Sequence, residues 1–331
     1  MKPNRPRIAI TLGDPAGIGP EIVLKAVLSE RVRRACRPML VGDRRALALH
    51  AERCGLAPRV RELARSGDFA STPDDEVVLL HRDLLGTAPI ALGTVDARYG
   101  LAGIESGRAA VAAALAGDVD AVIAAPQHEL AIKAAGIEFD GNPSFLARCT
   151  GTPIDEAFLM LCFDRFRITH VTAHLSLANA IRRLSVDLIG KAIRASAETL
   201  RRIGIAQPRI AVSGVNPHAG EGGLFGTEEI EIIAPAVRAA AADGLAVEGP
   251  FGADIMFNMR GFDAYVVMVH DQGHVLAKTL APNRGAALSI GTPVLFSSVA
   301  HGTAFDIAGR NLATPDAVIE AVERLTGTGV T

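Results

Sequence analysis

The chain has 331 residues, 49% of them hydrophobic, which is material for two ordinary domains and too apolar for a disordered chain. Its charges nearly cancel, 34 Lys and Arg against 36 Asp and Glu, so no basic field exists to hold nucleic-acid phosphates or an anionic membrane. Aromatic residues are 4% without any Trp, which argues against a stacking platform for single strands.

The first apolar run, Arg7–Leu12, predicts a buried strand. It is too short for a signal peptide, and no stretch approaches the roughly 20 apolar residues of a membrane helix, so a cytoplasmic protein is expected. A Gly/Pro loop and a helix from about Pro20 follow. Met39–Val41, Val77–Leu80, Ala121–Ala124, Ile210–Ser213, Ala264–Val269 and Val294–Ser298 are further strand candidates. Helices are predicted near Asp43–Arg53, Gly103–Ala116, Pro143–Thr150, Asp187–Ile203, Thr227–Ala242 and Pro315–Thr326. Phe158–Phe163 and Arg167–Thr172 read as a hairpin around Asp164–Phe166, and Arg61–Asp75 as the most loop-like stretch. The alternation predicts an α/β fold with a mixed sheet. Cys36, Cys54, Cys149 and Cys162 form no C-x-x-C pair, as expected of reduced thiols.

Three blocks carry chemistry. Gly13-Asp14-Pro15-Ala16-Gly17-Ile18-Gly19-Pro20-Glu21 joins a strand to a helix. It reads either as a tight turn or as a ligand loop on a helix N-terminus. Second, His174, His218 and His270 each follow a predicted strand, His218 in Asn216-Pro217-His218-Ala219-Gly220-Glu221-Gly222-Gly223 and His270 in His270-Asp271-Gln272-Gly273. Each alone reads as a hydrogen-bonded loop histidine; together they suit a divalent metal with an open position. His50, His81 and His170 read as structural or surface residues, and His128 and His274 stay unassigned. Third, His301-Gly302-Thr303-Ala304-Phe305-Asp306-Ile307-Ala308-Gly309-Arg310 is either a helix start or a nucleotide loop whose Asp accepts from ribose hydroxyls.

Together these blocks resemble the 4-hydroxythreonine-4-phosphate dehydrogenase (PdxA) family over about Ile8 to Leu312. The resemblance implies an isocitrate/isopropylmalate dehydrogenase-like α/β fold, two α/β/α domains with an active-site cleft between them. It implies a nucleotide-side domain of residues 1–125 plus 297–331, and a second domain, 126–296, with the metal ligands and the dimer interface. It implies a metal held by His174, His218 and His270, zinc first or else Mn, Co or Mg, in sites shared between the subunits of a homodimer. NAD is expected on Gly302, Thr303, Ala304, Asp306 and Ile307.

The departures from the family pattern point to a branch. The phosphate-substrate enzymes carry Gly-His-Thr-Glu where this chain has Gly141-Asn142-Pro143-Ser144. Their Lys is retained as Lys278, a substrate-binding Asn becomes Ala287 and an Arg becomes Phe296. Losing an Arg fork and a His removes charge-assisted bonds that a phosphate wants. Gly-x-Pro-Ser, His-Asp-Gln-Gly-His at 270–274, Ala281-Pro282-Asn283 and Ala287-Leu288-Ser289-Ile290-Gly291 resemble the terephthalate dihydrodiol dehydrogenase branch instead. The expected activity is NAD- and metal-dependent oxidation of a hydroxyl β to a carboxylate, with decarboxylation, on a terephthalate cis-dihydrodiol-type substrate to give protocatechuate and CO2. Asp271 and Lys278 are the candidates for proton transfer and substrate orientation, Lys278 alternatively for binding a carboxylate. Asn142, Ser144, Arg284 and Phe296 are the candidate substrate contacts. The alternatives are the vitamin B6 enzyme itself and an inactive metal- or nucleotide-binding relative.

Overall fold

The structure is a computed structural model that describes residues 5–281 and 285–328; Arg284 lies outside the described residues. The chain folds as two compact units, the first running to Thr150 and resuming at Pro293, the second spanning Gly151–Thr292.

The first unit opens with β1 (Arg7–Thr11), α1 (Gly19–Leu28), α2 (Glu30–Ala35), β2 (Arg37–Gly42), α3 (Arg44–Arg53) and β3 (Val60–Leu63). It continues with β4 (Val77–His81), α4 (Ala97–Leu115), β5 (Ala121–Ala124), α5 (Glu129–Ala134) and α6 (Asn142–Thr150). The second unit holds β6 (Phe158–Phe163), β7 (Phe166–His170), α7 (Leu177–Arg183), α8 (Val186–Arg202), β8 (Arg209–Ser213) and α9 (Ala234–Ala242). Then come β9 (Ala246–Phe251), α10 (Ala253–Met256), β10 (Ala264–Val267), α11 (His270–Leu280) and β11 (Ala286–Ile290). The chain returns to the first unit with β12 (Phe296–Val299) and α12 (Asp316–Thr326).

Strands of the first unit run β3-β4-β2-β1-β5-β12, every pair parallel. Crossing helices cover both faces of such a sheet, which is why Ile8–Ile10 of β1, Met39–Val41 of β2, Val77–Leu80 of β4 and all of β5 are apolar and buried. In the second unit the order is β11-β6-β7-β10-β8-β9. There β11/β6 and β6/β7 are antiparallel, the rest parallel. The hairpin read at Asp164–Phe166 makes this sheet mixed; Asp164 turns it with φ 42°. The parallel runs bring the carboxyl ends of β1, β5 and β12 together in the first unit, and those of β7, β10 and β8 together in the second, where ligand loops of α/β sheets lie.

Three expectations change. The segment 126–150, expected in the second domain, belongs to the first unit, because α5 and α6 pack on α4. Gly100 of α4 lies so close to α5 that a Cβ there would stand 2.2 Å from the carbonyl carbon of Ala131. The stretch read as loop at 61–75 contains β3 and a 3-10 turn, Ser66–Ser71; β3 is an edge strand with exposed side chains and so lacks an apolar signature. Phe296, expected at the substrate, is 0% exposed and packs in the core of the first unit with Val122, Ile104 and Phe145, so it offers no surface to a ligand.

Candidate active site

At the end of β7 the chain carries His170 and, four residues on, His174; at the end of β10 it enters α11 with His270 at the first helical position and His274 one turn later. The ring centroids of His174 and His270 are 5.7 Å apart. His270 and His274 stack at 3.6 Å with planes 9° apart, and His170 lies 4.7 Å from His274 and 6.2 Å from His270. Two of the predicted ligands are thus brought together, inside a cluster with two further imidazoles.

Hydrogen bonds fix which nitrogens are free. His270 Nδ1 stands 2.7 Å from Asp271 Oδ1; a carboxylate accepts, so Nδ1 carries the hydrogen and Nε2 keeps its lone pair. That is the carboxylate-to-imidazole support common behind metal-binding histidines. Asp271 is otherwise open, with 83% of its side chain exposed. His274 Nδ1 donates to the His270 carbonyl at 3.2 Å, one turn back along the helix. His170 Nδ1 faces the Leu159 carbonyl at 3.3 Å, and its Nε2 is buried with no hydrogen-bond partner among the described residues. Burial foremost, then the neighbouring His274, pushes His170 down to about 3; burial and His270 push His274 down to about 4. His170 and His274 are therefore uncharged at neutral pH.

Gly273 makes room for this arrangement. A Cβ there would stand 2.3 Å from His170 Nε2. Gln272 fastens the same turn: its Oε1 accepts from Met268 N at 2.9 Å and Val269 N at 3.1 Å, while its Nε2 donates to Gly214 O at 2.8 Å. The His-Asp-Gln-Gly block is thus one ligand candidate and three residues that hold it. Lys278 lies exposed two turns beyond His270 on α11.

His218 is not brought to the pair. Its only ring contact is with Phe225, 6.3 Å away, and no three His, Cys, Asp or Glu side chains converge as a metal site among the described residues. It sits in a left-handed run, with positive φ at His218, Ala219, Gly220, Glu221 and Gly222. Non-glycine residues there cost about 1–2 kcal/mol each, so something must hold the turn. Glu229 does: its Oε1 accepts from the N–H groups of Val215 and Asn216, both at 2.8 Å, and its Oε2 from Asn216 Nδ2 at 2.9 Å. Burial raises its carboxyl, but the bonds from Asn216 and Val215 outweigh it and hold the group below its ordinary value.

In the first unit the Gly13–Glu21 loop packs on the predicted nucleotide loop. Ile18 N donates to Thr303 O at 2.9 Å, and Gly93 N to Ala16 O at 2.8 Å. Gly13, at φ 71°, passes so close to β5 that a Cβ would meet the Pro126 carbonyl oxygen at 2.4 Å. The block is thus the tight turn of the first reading, and it lies against the candidate nucleotide loop. Glu21 is buried, taking Lys25 Nζ at 2.8 Å and Ala313 N at 3.1 Å, and His50 Nε2 lies 3.0 Å from the Pro15 carbonyl. Thr303 is buried, Ala304 is left-handed at φ 42°, and Gly302 and Asp306 are exposed. Ile307 N donates to Ala304 O at 3.1 Å, closing a turn that presents the Asp306 carboxylate to solvent. His128 stacks on Phe305 with centroids 4.5 Å apart. Asp14 is 1% exposed; burial pushes its carboxyl up to about 6, against the hydrogen bond from Ala16 N.

Asn142 opens α6, and the Ser144 hydroxyl bonds to Asp140, which also takes Arg148 Nη2 at 2.8 Å. Sequence reasoning missed His170, His274, Gln272 and Glu229. The four-residue spacing of His270 and His274 was the available signal for one of them.

Residues 34–325 match the family model described as pyridoxal phosphate biosynthetic protein PdxA. A 1,2-dihydroxy-3,5-cyclohexadiene-1,4-dicarboxylate dehydrogenase from a Comamonas species is 42% identical over 96% of both chains. A D-threonate 4-phosphate dehydrogenase of Cupriavidus necator is 41% identical over 98% of this chain and 97% of its own. The crystal structure of a terephthalate 1,2-cis-dihydrodiol dehydrogenase from Burkholderia xenovorans superposes with a TM-score of 0.75 at 39% identity, over 99% of each chain.

Proposed function

The chain belongs to the PdxA family of dehydrogenases, and from that premise we propose that it oxidises a cyclic cis-diol dicarboxylate of the terephthalate dihydrodiol type. In this reading the oxidised hydroxyl is β to a carboxylate, which leaves as CO2, and the product is protocatechuate. The observation that carries it is the His174–His270 pair with Asp271 fixing the His270 tautomer. The similarity to the Comamonas and Burkholderia enzymes supports the diol. The nearly equal identity to a threonate phosphate dehydrogenase supports a second reading, a linear phosphate ester.

The donor set fits a divalent cation, zinc before manganese, cobalt or magnesium: two imidazoles, one with a carboxylate behind it. We assign the third imidazole to His218 of a second copy in a homodimer, because His218 stands apart from the pair within its own chain. The loop of Gly302, Thr303, Ala304, Asp306 and Ile307 fits NAD, whose ribose hydroxyls would find an exposed carboxylate in Asp306. When bound, the cation lowers the pKa of the substrate hydroxyl and NAD accepts the hydride.

The chain's own residues do the rest. Asp271 accepts the His270 N–H and so orients the ring; engaged there, it acts through His270. Lys278, on the helix face of His270 and His274, offers an ammonium to a substrate carboxylate or to the oxygen that collects charge. The hydroxyl gives up its proton and its carbon a hydride, yielding a β-keto acid. The bond to the carboxylate then breaks and leaves its electron pair as an enolate, which in a cyclohexadiene is a phenolate that takes up a proton. Asn142 remains the candidate for the second carboxylate, with Ser144 beside it.

The test is to load purified protein with zinc or manganese, supply NAD and the terephthalate cis-dihydrodiol, and quantify NADH and CO2. Equal amounts of both are expected. NADH without CO2 would overturn the decarboxylation, and no NADH would overturn the dehydrogenase reading of this substrate.

A further inference from the structure

The histidine cluster contains one imidazole that neither the fold nor the proposed chemistry uses. His274 lies on α11 one turn after His270, its ring stacked on that ring at 3.6 Å and nearly parallel. Its Nδ1 faces the His270 carbonyl, 3.2 Å away. A carbonyl oxygen can only accept, so this nitrogen carries the hydrogen, and Nε2 presents a lone pair with no protein partner among the described residues. The residue is half-buried rather than sealed in the core.

Two stacked imidazoles thus each spend Nδ1 on the protein. In the proposed chemistry His270 keeps Nε2 for the cation, so His274 beside it has its own Nε2 left for a different partner. A bare Nε2 is an acceptor: it suits a hydroxyl, which donates, and not a carboxylate, which does not. His170 spends its N–H on the Leu159 carbonyl and has none left to donate to this lone pair. Lys278, one turn beyond His274, is a donor, but no hydrogen bond joins it to His274 among the described residues.

We propose that His274 is a specificity-determining residue that accepts a hydrogen bond from the second hydroxyl of the substrate, the one kept through the reaction on the carbon bearing the departing carboxylate. This rests on the reading of the protein as a dehydrogenase of β-hydroxy acids. It adds that the preferred substrates are α,β-dihydroxy acids, in which the α-hydroxyl is read by a side chain. Leaving a buried acceptor unpaired is what makes a site reject a substrate lacking the hydroxyl.

The experiment compares wild type, His274→Leu and His274→Gln on the cis-dihydrodiol and on its analogue with hydrogen in place of the α-hydroxyl. Metal content and the affinity of a saturated diol carboxylate, measured calorimetrically without NAD so that no hydride acceptor is present, are read alongside. His274→Leu is expected to lose about tenfold or more in kcat/KM and in affinity for the diols. It should keep its metal and treat the deoxy analogue as wild type does. His274→Gln, whose amide oxygen can accept, should recover part of the loss. An equal fall on both substrates, or loss of metal from His274→Leu, would overturn the assignment and make the residue a support or ligand of the metal site. Failure of the wild type to oxidise either compound would instead overturn the dehydrogenase reading beneath it.

Discussion

The two units that carry candidate chemistry are built on opposite principles. In the second unit, side chains do the work: imidazoles in ring contact, a carboxylate on one, an amide and a buried glutamate bracing the turns. In the first unit, backbone does it: a glycine-rich turn laid against a second loop, joined by Ile18 N to Thr303 O, with an exposed carboxylate at Asp306. Backbone surfaces suit a cofactor whose shape is constant. Side-chain clusters suit a reacting centre, where one atom's basicity or lone pair decides the outcome. Substitutions should therefore act differently in the two units: on reaction and metal in the second, on stability and cofactor preference in the first.

The largest effects should come from the imidazoles. His174→Ala and His218→Ala are each expected to lose metal and turnover. If His218 serves the other subunit's site, a mixture of the two variants, unfolded and refolded together, regains activity, because one site per mixed dimer is intact. Metal analysis and NADH formation check this, and no recovery on mixing would place the ligands within one chain. Asp271→Asn keeps the size of the side chain but weakens its hold on His270. It should cost about 10- to 100-fold in metal affinity, read by competition with a chelator.

Gly273→Ala sharpens the comparison from the packing side. Its Cβ would meet His170 Nε2 at 2.3 Å, so we expect a loss of about 3 kcal/mol in denaturant unfolding, largely relieved in Gly273→Ala/His170→Ala. An unrelieved loss would show that the Ile168 methyl, 2.8 Å from the same Cβ, and not the imidazole, sets the need for glycine. The smallest effect lies in the first unit. Asp14 has its carboxyl raised from 3.8 to about 6, so the folded state holds that proton more tightly than the unfolded one. Its contribution to stability is then most favourable below about pH 4 and is lost as pH rises through about 6. Asp14→Asn should raise Tm by a few degrees at pH 8 and by nothing at pH 4; a gain that persists at pH 4 would trace to something other than charge.

Much of the fold was legible because buried parallel strands announce themselves. β1, β2, β4, β5, β8 and β10 are short apolar runs between Gly, Pro and Asp, and each falls where it was read. β3 and β9 carry exposed residues and α11 is largely polar, so periodicity had little to grip. At the site, His174 and His270 were legible from their place after strands. His170 was not, since a histidine ending an apolar run looks the same whether it supports the fold or a metal site. Glu229 was invisible for a different reason: it acts across thirteen residues on Asn216, through a turn that only the folded backbone creates. Phe296 shows the opposite error, a residue assigned to a ligand by position in a motif and found in the core.

The decisive measurement is kcat/KM for the terephthalate cis-dihydrodiol against D-threonate 4-phosphate and 4-hydroxythreonine 4-phosphate, with the same metal-loaded protein and NAD. Turnover of the dihydrodiol is expected with at least a hundredfold preference, about 2.7 kcal/mol in transition-state binding. Preference for either phosphate ester would contradict it, and would mean that residues other than the missing His-Thr pair and Arg hold a phosphate in this chain.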